Sequence, residues 1–480
     1  MKKFLLILIV FTMFLGLVGC NRDIPNDNLN IDCSINPSDE ACLDPSTWNW
    51  EYNKTNFDGK NQEVIITVDS LEEMFEKEQI MLIENEYNIK LIINNYDNSV
   101  KYGLDELNYV KQSLENNKSD IMLVDSLWLE SLVNDELIKE LSDVANNTGL
   151  FNSYGYIQDS NYNKISLVNN KVYGYMKGYY YPDNWLFYNQ KLIDSFNLPD
   201  PVTLWNEGNW TMETFTNLLE ESKNKFEQYQ KTTGMEISPL SGQYYDMVKG
   251  VVCSNGFKFI DNKQLLLNSD KVVQIYQYFQ MLEEKYWGAE SSMLGSSNMD
   301  FRDGFRLFRG GKLSDIEENL WKESTDLKLY AVPYPRNNED NDLNSYYMPL
   351  STTDVFVIND TNQEISSEVL FNILDDLVRG VKPTTKVEVK NQITEYKEYL
   401  QGIFESEEVC KALLSVIEKN NTYVELIDSI SLMLGDGKVM SSDSIYIQSQ
   451  KIIGKVNKPD AFESLSVLQT KYQEILDKIV

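Results

Sequence analysis

Three short apolar runs rich in β-branched residues, Val64–Val68, Ile89–Ile93 and Ile121–Val124, alternate with two stretches of helical spacing near the front of this chain. The first stretch opens on Ser70 and Glu73, the pattern of a capping box, and carries Leu71, Met74, Phe75 and Leu82 on one side. The second presents Leu104, Leu107, Lys111 and Leu114. Strands alternating with helices predict a parallel sheet with both faces covered, an α/β architecture. In such sheets ligands bind beyond the carboxyl ends of the strands. Asp69 and Asp125 stand at two of those ends.

Further along, residues 171–189 form an aromatic β-type segment broken at Pro182, and Leu198–Trp210 is a turn-rich connection. Thr211 is placed to cap a helix bearing Phe215, Leu218, Leu219 and Phe226, and Val272, Ile275, Phe279 and Leu282 mark another. Phe301, Phe305 and Phe308 predict one more helix, with Arg306 and Arg309 in its last turn and Gly310–Gly311 as its stop. Strands are expected at 327–332 and Asp354–Ile358. A helix with Val369, Ile373 and Leu377 then ends at Gly380, and 381–480 is mainly helical. At 480 residues there is room for about two or three lobes.

Composition removes several classes of function. With 43 Lys+Arg against 74 Asp+Glu the net charge is −31, which repels nucleic-acid phosphates and anionic headgroups. The chain has no histidine, which excludes Ser-His-Asp and Cys-His catalysis and every His-ligated metal site. No CxxC occurs, so zinc ribbons and thioredoxin-like redox chemistry are out. Gly310-Gly311-Lys312-Leu313 lacks the spacing and the Ser/Thr of a phosphate-cradling loop. The acidic run 339–342 reads as a polar hairpin tip. No cofactor and no metal are expected.

Lys2 and Lys3, the apolar run Phe4–Val18 and a small residue before Cys20 have the layout of an export signal. The run is short of the roughly 20 residues a membrane span needs, and Asn21-Arg22-Asp23 ends it. Leu17-Val18-Gly19-Cys20 resembles the lipobox of bacterial lipoproteins. That resemblance implies a signal peptide over 1–19, a diacylglycerol on Cys20, and a protein anchored on the extracellular face of the cell membrane. Residues 20–61, rich in Asn, Asp and Pro, read as the lipidated cysteine and a flexible tether. Cys33 and Cys42 lie in that segment and form either a local disulfide or two free thiols. Cys253 and Cys410 have apolar neighbours and read as buried small hydrophobes.

Several blocks resemble, in order, the extracellular solute-binding proteins that feed sugar-type ABC importers, the maltodextrin-binding-like group. They are EYNIKLII (86–93), the helix–strand–loop block 110–143, the most specific block NNKVYGYMKGYYYPDNWLFYNQKLIDSFNLPDPVTLWNEGNWTMETF (169–215), FRDGFRLFRGGKLSDIEENLW (301–321) and YAVPYPR (330–336). The resemblance implies a two-lobed, type II periplasmic-binding-protein-like fold with discontinuous lobes joined by hinge strands. It assigns 62–183 plus 315–355 to the N-terminal lobe and 187–310 plus 360–480 to the C-terminal lobe. Ser314-Asp315, the absence of a tryptophan after the first strand and the long helical C-terminal region depart from the family pattern.

Carried over by position, the resemblance points to Asp69 in the first binding loop and to Asp125 and Trp128 in the second. Tyr180 and Tyr181 fall just before the hinge, Trp185 is a further candidate at the hinge, and Glu317 and Trp321 follow the Gly-Gly stop. Carboxylates that accept from hydroxyls in plane, with aromatic platforms on C–H faces, are the chemistry a sugar site needs. Each residue also has a plain reading. Asp69 and Asp125 can be helix caps, the tryptophans core, and Glu317-Glu318 a solvated acidic pair. The resemblance implies a monomeric, non-enzymatic receptor that passes a carbohydrate to a permease. A surface adhesin and an extracellular glycoside hydrolase are the rivals, and a strongly acidic cleft would favour cations over phosphates.

Overall fold

Val64, Ile66 and Val68 occupy alternate positions of the first strand and are all buried, the period-two face of a strand pressed into a core. The computed structural model describes residues 57–69, 75–97, 99–142, 165–175, 182–288, 296–337, 343–362, 364–379, 392–419, 422–434, 441–454 and 458–479. These residues all belong to one unit, Pro45–Val480. The elements that position the site are, in chain order, β1 (Gln62–Val68), α1 (Lys77–Tyr87), β2 (Ile89–Asn95), α2 (Leu104–Glu115), β3 (Ile121–Asp125) and β4 (Asn184–Asn189). They continue with α3 (Met212–Thr233), β5 (Ser238–Gly242), α4 (Tyr244–Ser254), β6 (Arg306–Lys312), β7 (Leu329–Val332), β8 (Asp354–Ile358), α5 (Ser367–Arg379) and α6 (Ile427–Met433).

Two four-stranded sheets result, each the heart of one lobe. The first has the order β8-β3-β1-β2, parallel throughout except β8, which runs antiparallel to β3. The second has the order β7-β4-β6-β5, with β5 and β6 parallel and β4 antiparallel to both β6 and β7. α5 covers the first sheet through Val369, Ile373 and Leu377. Its Asp376 and Asp375 accept the hydroxyls of Tyr87 and Tyr175 at 2.7 and 2.6 Å. α3, α4 and the helix Asp270–Tyr286 cover the second sheet, and Thr211 caps α3 as expected, accepting the Thr214 N–H at 3.2 Å.

The structure departs from the sequence reading at two elements. α1 starts only at Lys77 and turns Ile83 and Tyr87 inward, leaving Leu82 57 % exposed. Ser70 and Glu73 lie outside the described residues. The helix expected through Phe308 instead stops at Arg302; Gly304 reverses the chain at φ 82, and 306–312 is a strand. Pairing on both edges, to β4 and β5, outweighs the helical spacing of the phenylalanines. Arg306 and Arg309 are buried in that strand, Arg306 against Asp300 at 2.7 Å.

Lobe membership also differs for two segments. β7, within 315–355, is the edge strand of the second sheet, where it pairs antiparallel with β4 and buries Ala331 and Val332. α5, within 360–480, packs on the first sheet. The chain therefore returns to the first sheet with β8 and stays through α5. Cys253 and Cys410 are buried free thiols. Cys20, Cys33, Cys42, Tyr180 and Tyr181 lie outside the described residues.

Candidate functional site

Four strand ends of the first sheet meet at one edge. β1, β2 and β3 deliver Asp69, Tyr96 and Asp97, and Asp125 from their carboxyl ends. β8 runs the other way, so its first residue, Asp354, stands in register opposite Asp125. Tyr102 and Glu106, where α2 begins, complete a cleft of about 440 Å³ that is also lined by Val100 and Leu123.

Asp125 is held from three sides. Oδ1 accepts the Leu127 N–H at 2.9 Å and so caps the short turn that follows β3. Oδ2 accepts the Tyr102 hydroxyl at 3.0 Å and the Thr352 hydroxyl at 3.4 Å. The capping role and the place in the cleft are thus two uses of one carboxylate. Glu106 Oε1 accepts the Trp128 indole N–H at 3.3 Å, and the Tyr96 hydroxyl donates to the Leu123 carbonyl.

The electrostatics of the cleft are unbalanced. Burial, reinforced by Asp125 and Asp354 and opposed by the Trp128 N–H, pushes the Glu106 carboxyl up to about 7. Burial and then the charges of Asp125 and Asp69 push Asp354 up to about 6. Burial also raises Asp125, against the pull of its hydrogen bonds. Asp97 alone is lowered, by the Ser99 backbone N–H and hydroxyl at 2.8 and 2.7 Å. Among the described residues no group of three acids is arranged to hold a metal ion.

A second charged cluster lies at the strand ends of the second sheet. Lys249 of α4 is 3 % exposed and binds Asp428 of α6 at 2.9 Å. Burial opposes its charge, but Asp428, Tyr446 and Asp246 outweigh burial and keep it well above its usual value. Asp246 rises to about 6 and Glu425 to about 7, both chiefly through burial. The first turn of α6 touches both clusters. Asp428 meets Lys249, and the next residue, Ser429, shares a 2.7 Å hydrogen bond with Thr352.

Of the residues singled out from sequence, Asp69 and Asp125 line the cleft. The three tryptophans do not. Trp128 is buried behind Glu106, Trp185 sits inside β4, and Trp321 is enclosed by Phe187, Phe301 and Arg309, with ring centroids 5.4 and 4.9 Å away and the guanidinium at 5.6 Å. Their large apolar area drives them into the core. Glu317 is exposed on the short helix Ser314–Glu318 and is not part of the cleft wall. Sequence reading passed over Tyr96, Asp97, Tyr102, Glu106 and Asp354. The strand-end rule that selected Asp69 and Asp125 would also have selected Tyr96 and Asp97. Asp354 depended on the antiparallel register with β3, for which the sequence holds no local signal.

No family model matches the chain and no curated protein is similar to it. Solved structures are. UgpB from Mycobacterium tuberculosis, solved with glycerophosphocholine, is 14 % identical over 86 % of this chain and 98 % of its own, with a TM-score of 0.53. The ABC substrate-binding protein Lmo0181 from Listeria monocytogenes, solved with cycloalternan, is 11 % identical over 86 % and 98 %, with a TM-score of 0.51. The sugar-binding protein MalE from Xanthomonas citri is 10 % identical over 87 % and 98 %, with a TM-score of 0.55. The likeness shows the fold, the two-lobed periplasmic-binding-protein-like architecture.

Proposed function

We propose that the chain is a lipid-anchored, extracellular solute-binding protein of the sugar-type family 1 group, which captures a carbohydrate between its lobes and delivers it to an ABC importer. The observation that carries this reading is the cleft at the strand ends of the first sheet. Its carboxylates accept hydroxyls in plane, its two tyrosines offer apolar faces, and Asp125 is pre-set by three donors. The fold it shares with a sugar-binding protein and with a binding protein solved with cycloalternan supports a carbohydrate ligand. Function is then closure of the lobes on differential contacts, with no bond made or broken.

The test is a thermal-shift screen of the full chain over mono- and oligosaccharides. Saturation at about 100 times Kd stabilises by about 2.7 kcal/mol, several degrees for a body of this size. Asp125→Ala is expected to weaken the response about tenfold or more. A flat response to every sugar would overturn the carbohydrate reading. The raised carboxyl of Glu106 has the chemistry of a general acid, so product analysis in the same wells decides against hydrolysis or for it.

A further inference from the structure

The cavity of the first lobe has the charge pattern of a site whose counter-ion arrives with the ligand. Asp69, Asp97, Glu106, Asp125 and Asp354 line it, and no Lys or Arg does. The chain contains no histidine to take that part. None of the five forms an ion pair among the described residues, whereas three acids outside the cavity do have a resident cation. Asp428 has Lys249 at 2.9 Å, Asp300 has Arg306 at 2.7 Å, and Glu283 has Lys458 at 3.6 Å. The acids alone would not mark a site. They surround a ligand-sized space of about 440 Å³ that is also walled by the rings of Tyr96 and Tyr102, at the edge where this class of sheet takes its ligands.

Carboxylates at the head of an aromatic-walled cavity are the recognition chemistry of an ammonium group, which gains from both the charge and the ring faces. A neutral sugar would leave the carboxylates mutually repelling, and a phosphate would add to the repulsion. Resting on the solute-binding reading of this same crevice, we propose that its solute carries a protonated amine, as an amino sugar or a polyamine does, seated among Glu106, Asp125, Asp354 and the rings of Tyr96 and Tyr102. The raised carboxyls of Glu106 and Asp354 fit an unfilled cation position, because no ion pair among the described residues offsets the neighbouring carboxylates. A bound ammonium supplies the missing charge and draws both toward the ionised form.

The experiment is calorimetric titration of the full chain with four probes: the trisaccharide of glucosamine, its N-acetylated counterpart, maltotriose and spermidine. The amine trisaccharide is expected to bind at least about tenfold tighter than the acetylated one. Glu106→Gln and Asp354→Asn should each weaken it by about tenfold or more. Glu78→Gln, an exposed acid on α1 far from the strand ends in sequence, should leave it unchanged. Equal binding of the acetylated or neutral sugar overturns the amine while the carbohydrate reading stands. Spermidine binding with no response to any sugar supports the amine and ends the carbohydrate reading. Loss on Glu78→Gln equal to that on Glu106→Gln overturns the site, since diffuse attraction to the net charge of −31 would then explain binding. No binding of either amine overturns it as well.

Discussion

Glu106 shows how one side chain ties stability to the cleft. Its carboxyl lies near 7 in the fold, against about 4.3 for an unfolded glutamate. The folded state therefore holds the proton more tightly than the unfolded state does. The group favours folding most below about pH 4.3, and that contribution is lost as pH rises to about 7. Glu106→Gln keeps the acceptor for the Trp128 N–H and removes the ionisation. The variant should be more stable than the parent at pH 8, by about 1–3 kcal/mol after allowance for partial exposure, and the gap should close toward pH 4.5. Urea unfolding at the two pH values checks this; an unchanged difference would count against the burial account. Asp428 behaves oppositely. Lys249 and Lys312 hold it low against burial, so its contribution is present at neutral pH and lost on acidification. At this scale Asp69 and Asp125 were legible because position on a strand is a local property. The fate of Trp128, Trp185 and Trp321 was not, since a core tryptophan and a sugar platform differ only in what lies across from the ring.

Among the elements, β6 is the clearest case of context overriding pattern. Phe301, Phe305 and Phe308 have helical spacing, yet 306–312 crosses the second sheet between two partners. Gly310 belongs there because a Cβ on it would fall 2.2 Å from Met247 Sδ and 2.9 Å from Tyr334 Oη. The Gly-Gly pair that looked like a helix stop is a close approach of strand and helix. α4 has the matching feature. Gly250 lies in the body of the helix, where alanine normally stabilises by about 1 kcal/mol. A Cβ at Gly250 would meet the Tyr334 ring at 2.2–2.5 Å. That ring is buried, and its hydroxyl is fixed by Asn184 Oδ1 at 3.0 Å and the Trp185 carbonyl at 3.1 Å. Overpacking should win: Gly250→Ala is expected to lose about 1–3 kcal/mol in denaturant unfolding, the opposite sign to an open helical site. A stabilised variant would show that Tyr334 moves aside freely. β1, β2, β3, α2 and α5 were readable in advance, since each has its own uninterrupted period and local pairing or a clear apolar face.

For the whole molecule, the two strand-end clusters meet at the first turn of α6. Ser429 reaches Thr352, and Lys263 of the second lobe pairs with Glu130, on the helix Leu129–Asn134 that follows β3. Among the described residues no helix is long and apolar enough to cross a membrane. In the proposed function the attachment is through Cys20. A single acyl chain holds only marginally, whereas two anchor stably. Cys20→Ala should therefore move the protein from the membrane fraction to the soluble one, read by fractionation and immunoblot. Full retention would remove the anchor from the proposal.

The amino-acid sequence by itself determined the alternation of strands and helices, the absence of imidazole chemistry, the acidity and the two aspartates at strand ends. All of these are local periods, counts or positions. Tertiary structure alone decided that β8 runs backward to set Asp354 opposite Asp125, that 306–312 is a strand, that β7 and α5 go to the lobes they do, and that five acids share one cavity without a cation. Those outcomes depend on pairing partners far away along the chain. A carboxylate's charge is written in its residue name, while the dielectric and the neighbours that set its worth exist only once the chain has folded around it.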